Sequence, residues 1–372
     1  MTRNFILVAA LLVIAGSIFY LQSSKLAPPD QANSASDSTI KTTVETMTTK
    51  EKAAKYDRVH EIVNPQGFIN TAPLKLADIA GKKIILVDFW TYSCINCQRT
   101  LPYLNAWYEK YKDQGLEIVG VHTPEFKFEQ EIGNVTQAVK KYGIQYPVLL
   151  DNRYETWTAY GNRYWPRKYL IDIDGFIVYD HIGEGGYDET EKKIQELLAE
   201  RAERLKTEFK ASTDLVAPKN SLETEAAKVH SPEIYFGSAR NTYLGNGKPE
   251  WFGTQALALP AGIKTNILYL DGTWDFQGEY AENRTPGKIV FRYQAKDVYL
   301  VASSLKPLSI RVLRDGVPLG SLAGEDVSQA DSRAIIQGER LYKIIQGDTY
   351  GEHTLEIFME APGLRAFTFT FG

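Results

Sequence analysis

Three kinds of hydrophobic pattern follow one another along this chain of 372 residues. The first is residues 5–21, seventeen residues without a charge, preceded by Arg3. At about 1.5 Å per residue a helix of that length is near the lower limit for crossing a bilayer. The segment has no polar face, so a buried core helix is a poor reading, and the positive flank favours the bulk of the chain outside. A cleaved signal peptide competes, but a cut near Ala15-Gly16-Ser17 leaves an apolar Ile-Phe-Tyr-Leu end. Residues 1–21 are therefore expected to be a single uncleaved membrane anchor. Residues 22–55 are rich in Ser, Thr, Ala, Pro and Lys and poor in large apolar side chains. They read as a flexible tether with a reach of roughly 30 Å.

The second pattern occupies residues 56–210, where short apolar runs alternate with helix-period runs. Residues 83–90, ending Leu86-Val87-Asp88-Phe89-Trp90, predict a strand buried on both faces. Residues 98–111 predict a helix, 116–121 a strand, 134–142 a helix, and 147–150 and 168–173 two more strands. Asp174-Gly175 then turns into a strand over 176–179, and a charged amphipathic helix closes the unit from 189. This alternation is an α/β layer.

Composition narrows the chemistry. With 44% hydrophobic and 24% charged residues the chain is globular, and a net charge of −4 provides no basic field for nucleic acid. There are two cysteines, Cys94 and Cys97, too few for a disulfide scaffold or a four-cysteine zinc site. They form one Cys-x-x-Cys between the first main strand and its helix. A thiol at a helix start gains from unpaired backbone N–H groups and the helix dipole. Cys97, one turn on, is placed to attack a mixed disulfide formed at Cys94. Two other readings stay open: a structural bridge, which closes too short a loop to stabilise much, and a copper or zinc site completed by His122.

The segment from Val87 to Cys97 resembles the active-site segment of thioredoxin-fold proteins, and most nearly that of the exported TlpA and DipZ group. The resemblance implies a thioredoxin fold, a redox-active Cys94–Cys97 disulfide as the reacting group, and no prosthetic group or metal. It implies that Asp88 exchanges a proton with the resolving thiol, and that Glu125, in Gly120-Val121-His122-Thr123-Pro124-Glu125-Phe126, approaches the site. Pro102 falls where the family kinks its helix, and Pro166 where it has a cis-proline facing the cysteines. Trp90, Tyr92, Trp165 and Pro166 are then expected to bind the partner polypeptide. Peroxidase chemistry fits less well: Thr91 stands where that motif needs it, but Val87 replaces its proline.

The third pattern follows a polar linker at 211–230. Residues 288–293, 298–301, 309–313, 341–345, 354–359 and 366–371 are short alternating strands, with Asp315-Gly316 and Pro362-Gly363 as turns. Residues 231–372 therefore predict an all-β sandwich of jelly-roll type. Its two ends resemble the C-terminal domain of DipZ-like proteins, which is similar in shape to carbohydrate-binding modules. Trp251, Trp274 and Tyr280 are the aromatics available to stack on a cell-envelope glycan. DipZ proteins usually carry an electron-conducting membrane domain ahead of the thioredoxin part, and a single apolar segment is expected in its place here. The expectation is a membrane-tethered, extracytoplasmic thiol–disulfide oxidoreductase. It would act on protein disulfides, fed by a separate membrane donor of the CcdA/DsbD type and serving cytochrome c maturation or protein repair. The alternatives are a copper-handling protein and a glycan-binding module with a fixed disulfide.

Overall fold

The structure is a computed structural model describing residues 47–372, apart from 211, 213, 220, 222 and 223. The expected anchor at 1–21 and most of the expected tether lie outside the described residues. Among those described, no helix is long and apolar enough to cross a membrane.

The tether gives way to structure earlier than its composition indicates. Thr49–Lys55 forms a helix, α1, whose N-cap Thr48 and Glu51 exchange hydrogen bonds in a capping box. Lys52 docks it. The side chain is 4% exposed, and its ammonium meets Asp172 at 2.6 Å, Asp174 at 3.0 Å and Glu200. Burial alone lowers a lysine's pKa, but the three carboxylates outweigh it and hold Lys52 above its usual value. The same three acids form the metal-like carboxylate group among the described residues, and the Lys52 ammonium occupies it, with Arg204 pairing Asp174 from outside.

The α/β unit continues with β1 (Phe68–Ile69), α2 (Leu76–Ile79), β2 (Ile84–Trp90), α3 (Ile95–Tyr111), β3 (Leu116–His122) and α4 (Ile132–Lys141). It closes with β4 (Val148–Leu150), α5 (Glu155–Ala159), β5 (Arg167–Ile171), β6 (Ile177–Ile182) and α6 (Tyr187–Leu205). The sheet runs β1-β4-β3-β2-β5-β6, with β2 parallel to β3 and antiparallel to β5, the arrangement of a thioredoxin-like fold. All seven residues of β2 are buried, because the strand is central and feeds two cores. Ile84, Leu86 and Trp90 pack beneath α3 and α6, while Ile85, Val87 and Phe89 pack on the opposite face with Leu76 and Tyr160.

The rest is β-rich: β7 (Ile234–Tyr235), β8 (Gly253–Leu257), β9 (Leu268–Phe276), β10 (Ala281–Asn283), β11 (Gly287–Ala295) and β12 (Val298–Ser303). Then come β13 (Leu308–Arg314), β14 (Val317–Pro318), β15 (Arg333–Ile336), β16 (Arg340–Ile345), β17 (Gly351–Met359) and β18 (Arg365–Phe371). One sheet contains the run β10-β18-β12-β16 and the other β11-β17-β13-β15, which is a jelly-roll order. The two are joined along one edge by β9. Its first half pairs with β11 and its second with β10, and Gly272, at φ +92°, lies between the halves. A Cβ there would meet the Pro286 carbonyl oxygen at 2.9 Å, so the crossover requires glycine.

The jelly roll packs against the α/β unit through the outer face of one sheet. Along β12, Val298, Leu300 and Ala302 enter the sandwich core, whereas Tyr299 and Val301 join the core of the α/β unit. Leu341 and Phe367 do the same, and Phe367 meets Phe126 and Phe128 edge-on with ring centroids 5.2 and 5.0 Å apart.

Candidate active site

The carboxyl ends of the parallel strands β2, β3 and β4 coincide, with Trp90, His122 and Leu150 in register. The chain leaves β2 there and enters α3 through Cys94, the helix N-cap. The Cys94 sulfur accepts a hydrogen bond from the Cys97 backbone N–H at 3.4 Å. Cys94 is half-buried, Cys97 is 1% exposed, and both thiols are free. Burial first, and the neighbouring Cys94 next, push the Cys97 thiol well above its ordinary pKa. The outer sulfur is therefore reachable, and the inner one holds its proton.

Asp88 lies beneath the inner sulfur. It is 1% exposed and its Oδ1 has no hydrogen-bond partner. Burial raises its pKa to about 7, opposed by the positive charge of Lys168. Lys168 is the cross-strand partner of Asp88 on β5 and is itself fully buried, donating to the Gly183 carbonyl at 3.2 Å. Burial lowers its pKa, while Asp88, Cys97 and Glu184 pull it back up. A carboxylate inside the apolar run Leu86-Val87-Asp88-Phe89-Trp90 is costly unless it is used or paired, and that marks Asp88 in the sequence. The same signal, a lysine inside Lys168-Tyr169-Leu170-Ile171, was there to be read for Lys168.

Glu125 turns its carboxylate to the β-rich part of the chain, where it accepts from Tyr235 at 2.8 Å and pairs with Arg240 at 2.9 Å. The acid that grips the cysteine loop is Glu129, which is fully buried. One oxygen accepts from the Ser93 hydroxyl at 2.6 Å and the Ser93 N–H at 3.2 Å, the other from the N–H groups of Glu125 and Phe126. Burial raises its pKa, against the hydrogen bonds that favour its charged form. A single 3₁₀ turn, Lys127–Gln130, swings Glu129 back toward Ser93. Nothing in a run of alternating charged residues marks it out beforehand.

The expected partner-binding residues divide in two. Trp90 is fully buried and Tyr92 5% exposed, so neither offers surface. Trp90 belongs to β2, whose residues all point into one core or the other. Tyr92 is covered by the jelly roll and donates to the Glu339 carbonyl at 3.2 Å. Trp165 and Pro166 lie at the same end of the sheet as Cys94, just before Arg167, which pairs with Phe89. The Trp165–Pro166 bond is cis. Pro166 is buried, while Trp165 is half-buried, donates to the Thr123 carbonyl at 3.0 Å and leans on Trp157. Tyr164, beside it, is exposed.

His122 does not complete a metal site. It is fully buried between Trp90 and Tyr92, its Nε2 accepts from the Tyr92 N–H, and burial lowers its pKa to about 3. Among the described residues it forms no ligand group with Cys94 and Cys97. The glycan set is also broken up. Trp274 is fully buried with its indole N–H on the Asp271 carbonyl, and Tyr280 packs against Phe367, leaving Trp251 exposed.

The first turns of α3 are fastened to the jelly roll by Arg99, which is 2% exposed. It donates to Asn96 between the cysteines at 3.3 Å, pairs with Glu184 at 3.0 Å and donates to the Tyr299 hydroxyl at 3.3 Å.

Comparison with known proteins finds relatives of both parts of the chain. The AhpC/TSA family matches residues 50–180, and the thioredoxin-like C-terminal domain family matches residues 231–372. Protein DipZ of Mycobacterium bovis is 37% identical over 313 residues, 82% of this chain and 41% of DipZ, so the chain spans well under half of that relative. Thiol-disulfide oxidoreductase YkuV of Bacillus subtilis is 30% identical over 140 residues, 38% of this chain and 93% of YkuV. Thiol-disulfide oxidoreductase ResA of Bacillus thuringiensis is 32% identical over 124 residues, 33% of this chain and 68% of ResA.

Proposed function

The chain belongs to the thioredoxin-like thiol–disulfide oxidoreductases, and on that premise we propose that it reduces disulfides in other proteins through Cys94 and Cys97. The observation that carries the reading is the asymmetry of the pair: a half-exposed cysteine at a helix N-cap, and one turn on a buried thiol over an unpartnered carboxylate. Cys94 as thiolate attacks the substrate disulfide. Cys97 gives its proton to Asp88, attacks Cys94, and expels the second substrate sulfur. The reaction needs no prosthetic group. The extended partner lies along Tyr164 and Trp165.

The apolar segment 5–21 holds the protein at a membrane with its folded body on the extracytoplasmic side. A separate membrane protein of the CcdA/DsbD type re-reduces the disulfide, and the substrates are envelope proteins, including cytochrome c precursors or oxidised proteins under repair. The jelly roll braces the redox helix; with Trp274 buried, glycan binding has little to support it.

Equilibration of the pair against glutathione and dithiothreitol buffers tests the direction. A reduction potential near or below about −250 mV, as in thioredoxin, is expected. A value near about −120 mV would make the protein a disulfide donor instead. A pair that resists reduction below about −300 mV would be a structural bridge.

A further inference from the structure

Asp88 is opposite Lys168 across β2 and β5, and Lys168 is opposite His181 across β5 and β6. Residues directly opposite one another in neighbouring strands project from the same face, with Cβ atoms about 5 Å apart. That face carries Leu86, Trp90, Leu170 and Tyr179, and its core includes Cys97. Three titratable side chains thus form one row, from beneath the inner cysteine to the edge strand β6. Asp88, at 1% exposed, and Lys168 are both buried, and exposure begins at His181, which is half-buried.

The outer end, at His181, is partly exposed. The His181 Nε2 meets the Glu184 carbonyl at 3.3 Å, so that nitrogen donates and Nδ1 is left to accept. The adjacent Gly186 has φ +58°, and a Cβ there would lie 2.4 Å from the imidazole Cε1, so the ring keeps its place only against glycine. No ion pair within 4 Å joins Asp88 to Lys168 among the described residues, and Asp88 Oδ1 is unpartnered. A single water bridges gaps of this kind between buried polar groups.

We propose that Asp88, Lys168 and His181 form a proton path from the resolving thiol to solvent, with His181 as its exit. This rests on the dithiol reading above. In the resolving step the Cys97 thiol gives its proton to the Asp88 carboxylate, and its sulfur bonds to the Cys94 sulfur. The bond from Cys94 to the substrate sulfur breaks, and that sulfur leaves with the electron pair and takes a proton from water. The dithiol is oxidised and the substrate reduced. The Lys168 ammonium passes a proton to neutral His181, Asp88 replaces it, and His181 sheds its proton to solvent.

The charges facing His181 are Lys168 on β5, Asp180 beside it on β6, Glu184 on the loop that follows, and Glu189 on α6. Burial first and Lys168 next lower its pKa, so the imidazole is neutral and ready to accept at neutral pH.

The test separates the two thiol steps. The full-length reduced protein is mixed with excess mixed disulfide of glutathione and thionitrobenzoate. Thionitrobenzoate release follows attack by Cys94, and glutathione release in acid-quenched samples follows attack by Cys97. His181→Gln should slow the second step about fivefold or more near pH 7.5 and leave the first within about twofold. Lys168→Met should slow the same step about tenfold or more. In His181→Ala, added imidazole should restore glutathione release in proportion to its concentration, which a purely structural defect does not allow. A second step in His181→Gln within twofold of the parent, or a deficit in His181→Ala that imidazole does not relieve, overturns the path. No glutathione release from the parent protein overturns the dithiol reading itself, and the path with it.

Discussion

Two buried groups in neighbouring strands respond to pH with opposite sign. Asp88, with its pKa raised to about 7, is destabilising when ionised, so its favourable state is complete below the unfolded pKa and is lost as pH rises toward 7. Asp88→Asn should therefore raise the unfolding free energy more at about pH 8 than at about pH 5, by roughly 2 kcal/mol. Denaturant titrations at the two pH values measure it, and equal gains at both would contradict a buried, neutral-leaning acid. His122, lowered to about 3, must stay neutral, and its contribution is present above its unfolded pKa and lost as pH falls. His122→Gln should flatten the loss of stability between about pH 7 and about pH 4 by roughly 3 kcal/mol. Asp88 was legible in the sequence because a carboxylate inside an apolar run is costly unless used. Lys168 carries the same mark one strand away, but it stands at the first position of the strand expected over 168–173, where a charge is ordinarily solvated. Glu129 carried none, since its burial comes from a turn that only the tertiary fold closes.

Among the elements, those legible from the pattern are the ones whose pattern answers to a single environment. The β2 run is buried on both faces and reads so, and the helix expected over 134–142 is observed as Ile132–Lys141. β12 is also buried throughout, because alternate residues serve two cores, but a four-residue apolar stretch there resembles any sandwich strand. α1 escaped because Lys52 counts as polar in composition, yet it is buried among three carboxylates. Lys52→Met leaves buried Asp172 without a counter-charge, with only Arg204 left to Asp174 and Glu200, and should cost about 3–5 kcal/mol. The loss should appear both in global unfolding and as faster proteolysis near residue 56. Phe367→Ala, at the contact between jelly roll and α/β unit, should cost about 3–4 kcal/mol. The thermal midpoint reports it, and a loss below about 1 kcal/mol would mean that Phe126 and Phe128 close over the gap.

At the scale of the molecule, two units that composition separates with a linker share one core. Tyr299, Val301, Leu341 and Phe367 of the jelly roll pack with Tyr92, Phe126 and Phe128 of the redox unit. The whole should melt in a single transition followed by calorimetry, and two resolved transitions would contradict a shared core. A fragment ending near residue 210 uncovers those aromatics and should bind hydrophobic dyes that the full chain does not.

The lysine staple of α1 also gives the molecule a polarity. Asp172 follows Ile171, which pairs with Ile85, so the staple sits where β2 begins, whereas the cysteines stand where it ends. A seven-residue strand separates the two poles by about 23 Å. Tension applied at residue 47 is taken up by three ion pairs at the near pole and does not pass through the helix that carries Cys94. A pull on that end leaves the reactive pole unloaded.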